Sequence, residues 1–524
     1  MNLDDVPHRT AAPRWATLRE LVTDAASRYG DREFLRCPDR TLSFRAADAY
    51  GADLARKLAG HGVRPGDRVA ILLGNSADWP LSWLGVVKAG AVAVPVDARC
   101  GAFDLRHVLH DSRAALVLTA PGLAALAHRA AGGLGRPCAV RTLPGLDADG
   151  RRGDLPRLSA RTDATVGLQY TAGTTGFPKA CVLSHDYWLR TAWGIGAGAG
   201  LRRADVVLTT QSFAYAGPQW QTVMCLMAGV PLVVLERFSA AGFWDSVRRH
   251  GATVTHVVGG MPTLLYKQPP RPADRDHALR LVLCSGIRPE RHREYEERWG
   301  AAWRELYGST ESGLDLISPV GEESAVGSGA LGRAPAGKRV VVADERGERV
   351  PPGAAGEILV RGRPMMKGYW NGAEATAQVF RGGWYHTGDL GVADPAGRVR
   401  HAGRLTEVIR RGGEQIAPAE VEAVLEAHPA VLAAAVVGIP DQLSGELPKA
   451  FVRLRPGTPP TAPTARSLLA HARRRLARPE VPAYLEFVGS FPTTASARVR
   501  KHLLLRPGDD QRGGAFSAAA DGWV

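Results

Sequence analysis

The chain has 524 residues, 45% of them hydrophobic and 23% charged. That is the balance of a soluble globular protein too long for one core, so two to four domains are expected. Its net charge of +14 suits anionic small molecules; with the basic residues dispersed apart from Arg473-Arg474-Arg475, nucleic acid is not expected as a partner.

No apolar run reaches the length of a membrane span, and the first residues lack a secretory core. The six cysteines (Cys37, Cys100, Cys138, Cys181, Cys225, Cys284) stand apart without metal-ligand spacing. Reduced thiols in a cytoplasmic protein without a membrane partner are expected. Of the 66 basic residues eight are lysine and 58 arginine. Against that drift toward arginine, a retained lysine is read as one with a task.

Residues 1–14 read as a loose arm, followed by amphipathic helices over 15–29 and 46–62. Short β-branched runs at 68–73, 91–96 and 114–119, with helical stretches between, show the alternation of parallel strands and crossover helices. Residues 120–160 carry no clear pattern. Strand-like runs return at 205–210, 230–235, 254–258 and 281–284, with helices at 216–228, 239–250 and 289–299. From about residue 338 the runs 339–342, 356–360 and 399–401 lie between Gly, Pro and Asp turns, as in a small antiparallel unit. The segment 404–506 alternates helix (418–427, 464–476) and strand (432–437, 450–454, 485–488). Residues 507–524, rich in Gly, Ala and Asp, read as a disordered tail. The expected fold is α/β. A large N-terminal domain, 15–403, has doubly wound sheets plus the antiparallel unit, and a small α+β C-terminal domain, 404–506, follows.

Four stretches suit chemistry. The first is Tyr170-Thr171-Ala172-Gly173-Thr174-Thr175-Gly176-Phe177-Pro178-Lys179. Its glycines let the backbone turn tightly, successive N–H groups there form an anion cradle, and three threonines and a lysine add donors. That suits a polyphosphate, although the order differs from the common P-loop. The second, Leu306-Tyr307-Gly308-Ser309-Thr310-Glu311-Ser312, follows a strand-like run. It offers an aromatic face, hydroxyl donors, and a carboxylate suited to Mg²⁺ beside phosphates; it reads equally as a helix-capping turn. The third, residues 383–390, holds Asp389 in a turn, where it either accepts from a ribose diol or makes an Asx-turn. The fourth, from Gly403-Arg404 to Gly412-Gly413, falls where the texture changes. It is a junction and candidate hinge, or a basic strand facing solvent.

Together and in this order, the four stretches resemble the adenylate-forming superfamily of acyl-CoA synthetases, luciferases and peptide-synthetase adenylation domains. Lys88-Ala-Gly-Ala-Val-Ala-Val-Pro95, Gly356-Glu-Ile and Gly368-Tyr-Trp-Asn371 match its subsidiary motifs, and Ala417-Pro-Ala-Glu-Val-Glu422 looks most like the CoA ligases of small or aromatic acids. The resemblance covers about residues 20–505 and implies two half-reactions. An acid attacks the α-phosphorus of MgATP, giving an adenylate and pyrophosphate. The mobile C-terminal domain then rotates, and a thiol, usually CoA, displaces AMP.

Carried over by motif, residues 171–179 close over the β- and γ-phosphates. Tyr307 stacks on adenine against Ser285-Gly286-Ile287, with Gly308 and Ser309 in the same loop. Thr310 touches the α-phosphate, Glu311 the Mg²⁺, and Asp389 and Arg404 the ribose. Thr406 falls at the hinge, and Arg410, Gly412 and Gly413 line the thiol tunnel. The implied partners are a small-molecule acid and CoA or another acceptor, with a homodimer as one possible assembly.

Two departures stand out. The family's C-terminal lysine position holds Arg498, after Ala497 in place of glycine; Lys501 follows three residues on. Arginine keeps the charge but not the geometry. In the acid pocket Ala214 takes the place of a usual histidine. Phe213, Tyr215 and Trp220 read as an aromatic wall or as core packing, Gln219 and Arg288 as polar handles, and Gly259-Gly260 as room for a ring. These departures leave open an ATP-dependent diazotase that activates nitrite, and a nucleotide-binding relative without catalysis.

Overall fold

The computed structural model describes residues 13–171, 178–411, 414–493, 499–505 and 511–524. The described chain forms two compact units: 13–340 with 360–385, and 341–359 with 386–524. By contacts, 386–403 groups with the residues that follow it; the boundary at 403/404 stays a proposal from the sequence.

The first unit is built on two sheets. One runs Ala139–Thr142, Leu116–Thr119, Arg68–Leu72, Val92–Val96, Thr165–Thr171, Lys179–Ser184. Its neighbours are parallel except the last pair. The other has eight strands, in the order Gly313–Ile317, Ala302–Ser309, Leu281–Ser285, Val254–Val258, Val207–Thr209, Leu232–Val234, Glu33–Arg36, Thr41–Ser43. Strands such as Val92–Val96 are buried throughout, which is why they read as unbroken apolar runs rather than alternating ones. Between them the helices Ala216–Ala228 and Pro289–Trp299 keep their expected bounds. The second starts on a proline at its first position and ends at Gly300 in the left-handed region, the usual start and stop signals. Lys88, from a subsidiary motif, is buried and pairs with Asp48 at 2.7 Å, tying the helix Asp78–Lys88 to Phe44–Gly60.

The antiparallel segment forms as expected, with Trp384–Ala393 paired to Val399–Arg404. After it come a seven-stranded sheet and the helices Pro418–Glu426 and Ala462–Arg473, packed on Val421, Leu425, Val436, Leu468 and Leu485.

The tail corrects the sequence expectation. Residues 511–524 are ordered, with Phe516–Ser517 paired to Tyr484–Phe487 and Gly522–Trp523 paired to Phe516–Ser517. Phe516 is fully buried, and the Trp523 ring meets it edge-on at 5.6 Å. One aromatic in the core and a short ladder order a segment whose composition looks disordered.

Candidate active site

Thr171 closes one strand and Lys179 opens the next, with the two directly paired and Thr171 Oγ1 donating to Lys179 O at 3.3 Å. Ala172, Gly173, Thr174, Thr175 and Gly176 lie outside the described residues. The strand carrying Lys179 is extended by the Gly368-Tyr-Trp-Asn371 segment: Val182 N–H donates to Gly368 O at 2.9 Å and Trp370 N–H to Ala180 O at 2.8 Å. This places the Tyr369 ring 5.5 Å from Lys179 Nζ. The Tyr369 hydroxyl donates to Glu311 Oε1 at 2.8 Å. Burial, with the Glu311 charge, pushes that phenol far up, so it stays a donor. The sequence reading noted the motif but not this role for Tyr369. A lysine and a carboxylate 132 positions apart thus share one aromatic side chain.

Glu311 sits in the turn of a β-hairpin, not at a helix start: Ser309 pairs with Gly313 and Tyr307 with Leu316. The turn is braced from within. Ser309 Oγ lies 3.0 Å from Ser312 Oγ, and Ser312 Oγ donates to Asp315. Lys338 Nζ donates to Ser312 O at 2.5 Å and to Asp315 Oδ1 at 2.8 Å, with both side chains almost wholly buried. Burial lowers the Lys338 ammonium pKa, and the Asp315 charge opposes that shift. Gly308 is required: a Cβ there would lie 1.9 Å from Gly313 O. Among the described residues no group of three or more His, Cys, Asp or Glu could hold a metal ion. A cation here would rest on Glu311 and on phosphate oxygens, which is how Mg²⁺ is commonly held.

Ser285 ends the strand Leu281–Ser285, and Gly286 and Ile287 follow it. Ser285 Oγ donates to Leu306 O at 2.7 Å, next to Tyr307. The Glu305 carboxylate takes the N–H groups of Gly286 at 2.7 Å and Ile287 at 2.9 Å. Sequence reading missed Glu305; its only mark is the adjacent charged pair Arg304-Glu305 inside a largely buried strand.

The acid-pocket residues divide. Phe213 is fully buried and stacks on Trp79 at 4.8 Å, so it packs in the core. Trp220 is buried against His256, with ring centres 5.1 Å apart. Gln219 is buried too, and its Nε2 donates to Gln169 Oε1 at 2.9 Å, Phe213 O at 3.0 Å and Tyr215 O at 3.1 Å. That amide group holds the 213–215 backbone, joined by Gln169 Nε2 donating to Ala214 O at 2.5 Å. Ala214, Tyr215 and Arg288 are half-buried, Gly259 is in the left-handed region, and Gly260 caps the helix Met261–Tyr266. His256 accepts at Nδ1 from Gln211 Nε2 at 2.9 Å; burial pushes its pKa down to about 3, which keeps it neutral.

In the second unit Asp389 lies on a strand rather than in a turn, paired directly with Arg404. Arg404 Nε meets Asp389 Oδ1 at 2.7 Å. Thr406 belongs to the short turn Leu405–Glu407, and Arg410 to Ile409–Arg411, its N–H donating to Glu446 Oε2 at 2.8 Å. Gly412, Gly413 and Arg498 lie outside the described residues. Lys501 is engaged: Nζ lies 2.6 Å from Glu407 Oε2 and 2.8 Å from Glu422 Oε1. Those two carboxylates hold its pKa up against burial.

A sulfoacetate–CoA ligase of Cupriavidus necator is 33% identical, covering 95% of this chain and 99% of its own length. A crotonobetaine/carnitine–CoA ligase of Salmonella typhimurium is 31% identical, covering 93% and 98%. The structure of an anthranilate CoA ligase in complex with anthranoyl-AMP is similar at TM-score 0.85 and 25% identity, covering 96% and 98%. That of the o-succinylbenzoate CoA synthetase of Bacillus subtilis, in complex with its acyl-adenylate, is similar at TM-score 0.83 and 27% identity, covering 93% and 99%. The AMP-binding enzyme family matches residues 22–370 and its C-terminal domain residues 420–498, so the chain belongs to the AMP-binding, adenylate-forming family.

Proposed function

We propose that this chain is an ATP-dependent ligase that activates a small or aromatic carboxylic acid as its acyl-AMP and passes the acyl group to CoA. The observation that carries the reading is the Lys179–Tyr369–Glu311 arrangement, a cation and a carboxylate set around one phenol. In the first half-reaction a carboxylate oxygen bonds to the α-phosphorus and the bond to the β-phosphate breaks, releasing pyrophosphate. In the second, the CoA sulfur bonds to the acyl carbon, AMP leaves, and the thiol proton goes to solvent.

Lys179 and the donors of 171–176 neutralise the β- and γ-phosphates. Thr310 donates to the α-phosphate, where charge builds up in the transition state. Mg²⁺, when bound beside Glu311, supplies Lewis-acid polarisation of the phosphates. Tyr307 stacks on adenine, Asp389 and Arg404 take the ribose, and Arg498 serves as the cation at the α-phosphate. Two things support a small acid. The 213–215 backbone is held tightly from behind by Gln169 and Gln219, and the relatives named above act on short or aromatic acids.

The test is pyrophosphate release over a panel of short, sulfonated and aromatic acids plus nitrite, with and without CoA. The expected result is release with at least one carboxylic acid and a thioester once CoA is present. Lys179→Ala should lower kcat/KM for ATP by about a hundredfold, the scale of a lost transition-state contact. No release with any acid, or release with nitrite alone, would overturn the proposal.

A further inference from the structure

We infer that Glu305 is a positioning residue for the nucleotide: its carboxylate, gripping the N–H groups of Gly286 and Ile287, sets the turn that flanks the adenine. The inference rests on the nucleotide-binding reading above. Glu305 is opposite Cys284 in the parallel pairing of Leu281–Ser285 with Ala302–Ser309, the last matched position before the strands part. Beyond it the first strand leaves the sheet through Gly286, whose φ of +100° is a conformation that glycine tolerates. A Cβ on Gly286 would meet nothing within 4 Å, so side-chain packing does not hold the turn. What holds it is Glu305, at 2.7 and 2.9 Å, together with Ser285 Oγ on Leu306 O at 2.7 Å. Two strand positions on, Tyr307 points to the same face, because side chains alternate along a strand.

A buried carboxylate without a counter-ion is costly. Glu305 is 8% exposed, and among the described residues no cation pairs with it. Titratable residues on its own and the neighbouring strands are otherwise engaged. Arg304 pairs with Glu296, Asp315 with Lys338, and His256 with Gln211. The Cys284 thiol, raised by its own burial and then by Glu305, stays neutral. Burial pushes the Glu305 carboxyl up to about 7, against the pull of its two N–H bonds. Ionised, it accepts from both N–H groups. Protonated, it turns an O–H toward one of them and gives up that bond. The grip on the turn therefore weakens as pH falls through neutrality.

The experiment measures KM for ATP and kcat by ATP–pyrophosphate exchange from pH 5.5 to 8.5 for the wild type, Glu305→Gln and Glu305→Asp, with melting curves to establish folding. In the wild type, KM for ATP should rise about tenfold toward acid with a midpoint near 7, the worth of one hydrogen bond to a charged group. Glu305→Gln should show the raised KM at every pH, with kcat within about threefold of wild type. The ionisation of ATP itself is common to all variants and cancels in the comparison. Glu305→Asp keeps a carboxyl and should keep a titrating limb, which holds the test open should the glutamine variant not fold. A Glu305→Gln enzyme with the wild-type KM and acid limb, or a flat wild-type profile, overturns the inference. A wild type that shows neither exchange nor ATP binding sinks the proposed function instead.

Discussion

The Tyr369 hydroxyl donates to Glu311 Oε1 at 2.8 Å, from a ring whose face lies 5.5 Å from Lys179 Nζ. The phenol aims the carboxylate and the ring steadies the ammonium. Tyr369→Phe separates the two effects, since it keeps the ring and loses the hydrogen bond. We expect kcat/KM for ATP to fall about tenfold, with a raised Mg²⁺ requirement and a melting temperature within a few degrees of wild type. Steady-state kinetics at varied Mg²⁺ reads this; kinetics equal to wild type would remove Tyr369 from the site.

The Lys338–Asp315 pair braces the Glu311 hairpin from inside. Lys338→Met strands a buried carboxylate and should cost about 3–5 kcal/mol, more than a methionine of similar volume returns. Lys338→Met with Asp315→Leu should recover most of that loss. Chemical denaturation of the single and double variants tests the pair; additive losses would show that the two do not act together.

Lys501 follows the position of the family lysine but is held by Glu407 and Glu422, which argues against its serving in place of Arg498. Lys501→Met should lower stability by about 2–3 kcal/mol, because two carboxylates lose their shared cation. Arg498→Lys should maintain or raise pyrophosphate release, while Arg498→Ala should abolish most of it. If the lysine variant is as inactive as the alanine variant, the forked guanidinium itself is needed.

Stability should fall only modestly between pH 7.5 and 5, because buried groups oppose one another. Burial holds His185 down to about 4 and His256 down to about 3. The unfolded chain takes up those protons first, so each histidine withdraws about 2 kcal/mol by pH 5. Glu305, raised to about 7, works the other way: its ionisation penalty eases as pH falls, returning about 2 kcal/mol. Glu305→Gln removes that return, so its melting temperature should drop more steeply toward acid than that of the wild type. Parallel slopes would disprove the opposition.

Much of the fold could be read from the chain because helix and strand periods were clean where elements are long. Ala216–Ala228 and Pro289–Trp299 kept their bounds. The tail could not be read, since a single Phe516 in the core carries what composition averages away. Within the site, the motifs pointed to Lys179 and Glu311, but the bond from Tyr369 crosses 58 positions and leaves no spacing to detect. Glu305 was hidden for a related reason: its partners are backbone N–H groups, which every residue but proline offers. Phe213 read as pocket wall or core alike, and Gln219 as a polar handle, because types alone do not tell an amide that greets a ligand from one that holds its own backbone.

The scarcity of lysine has a practical consequence. Lys57, Lys88, Lys338 and Lys449 are buried, and each pairs with a carboxylate. Lys179 and Lys367 are exposed. An amine-acylating reagent therefore meets few targets on the folded protein, and one of them, Lys179, is the residue proposed above to neutralise the ATP phosphates. Peptide mapping after brief acylation should find Lys179 and Lys367 modified, with Lys179 alone shielded by ATP. The arginine-rich composition would then make the chain its own footprinting probe for nucleotide occupancy.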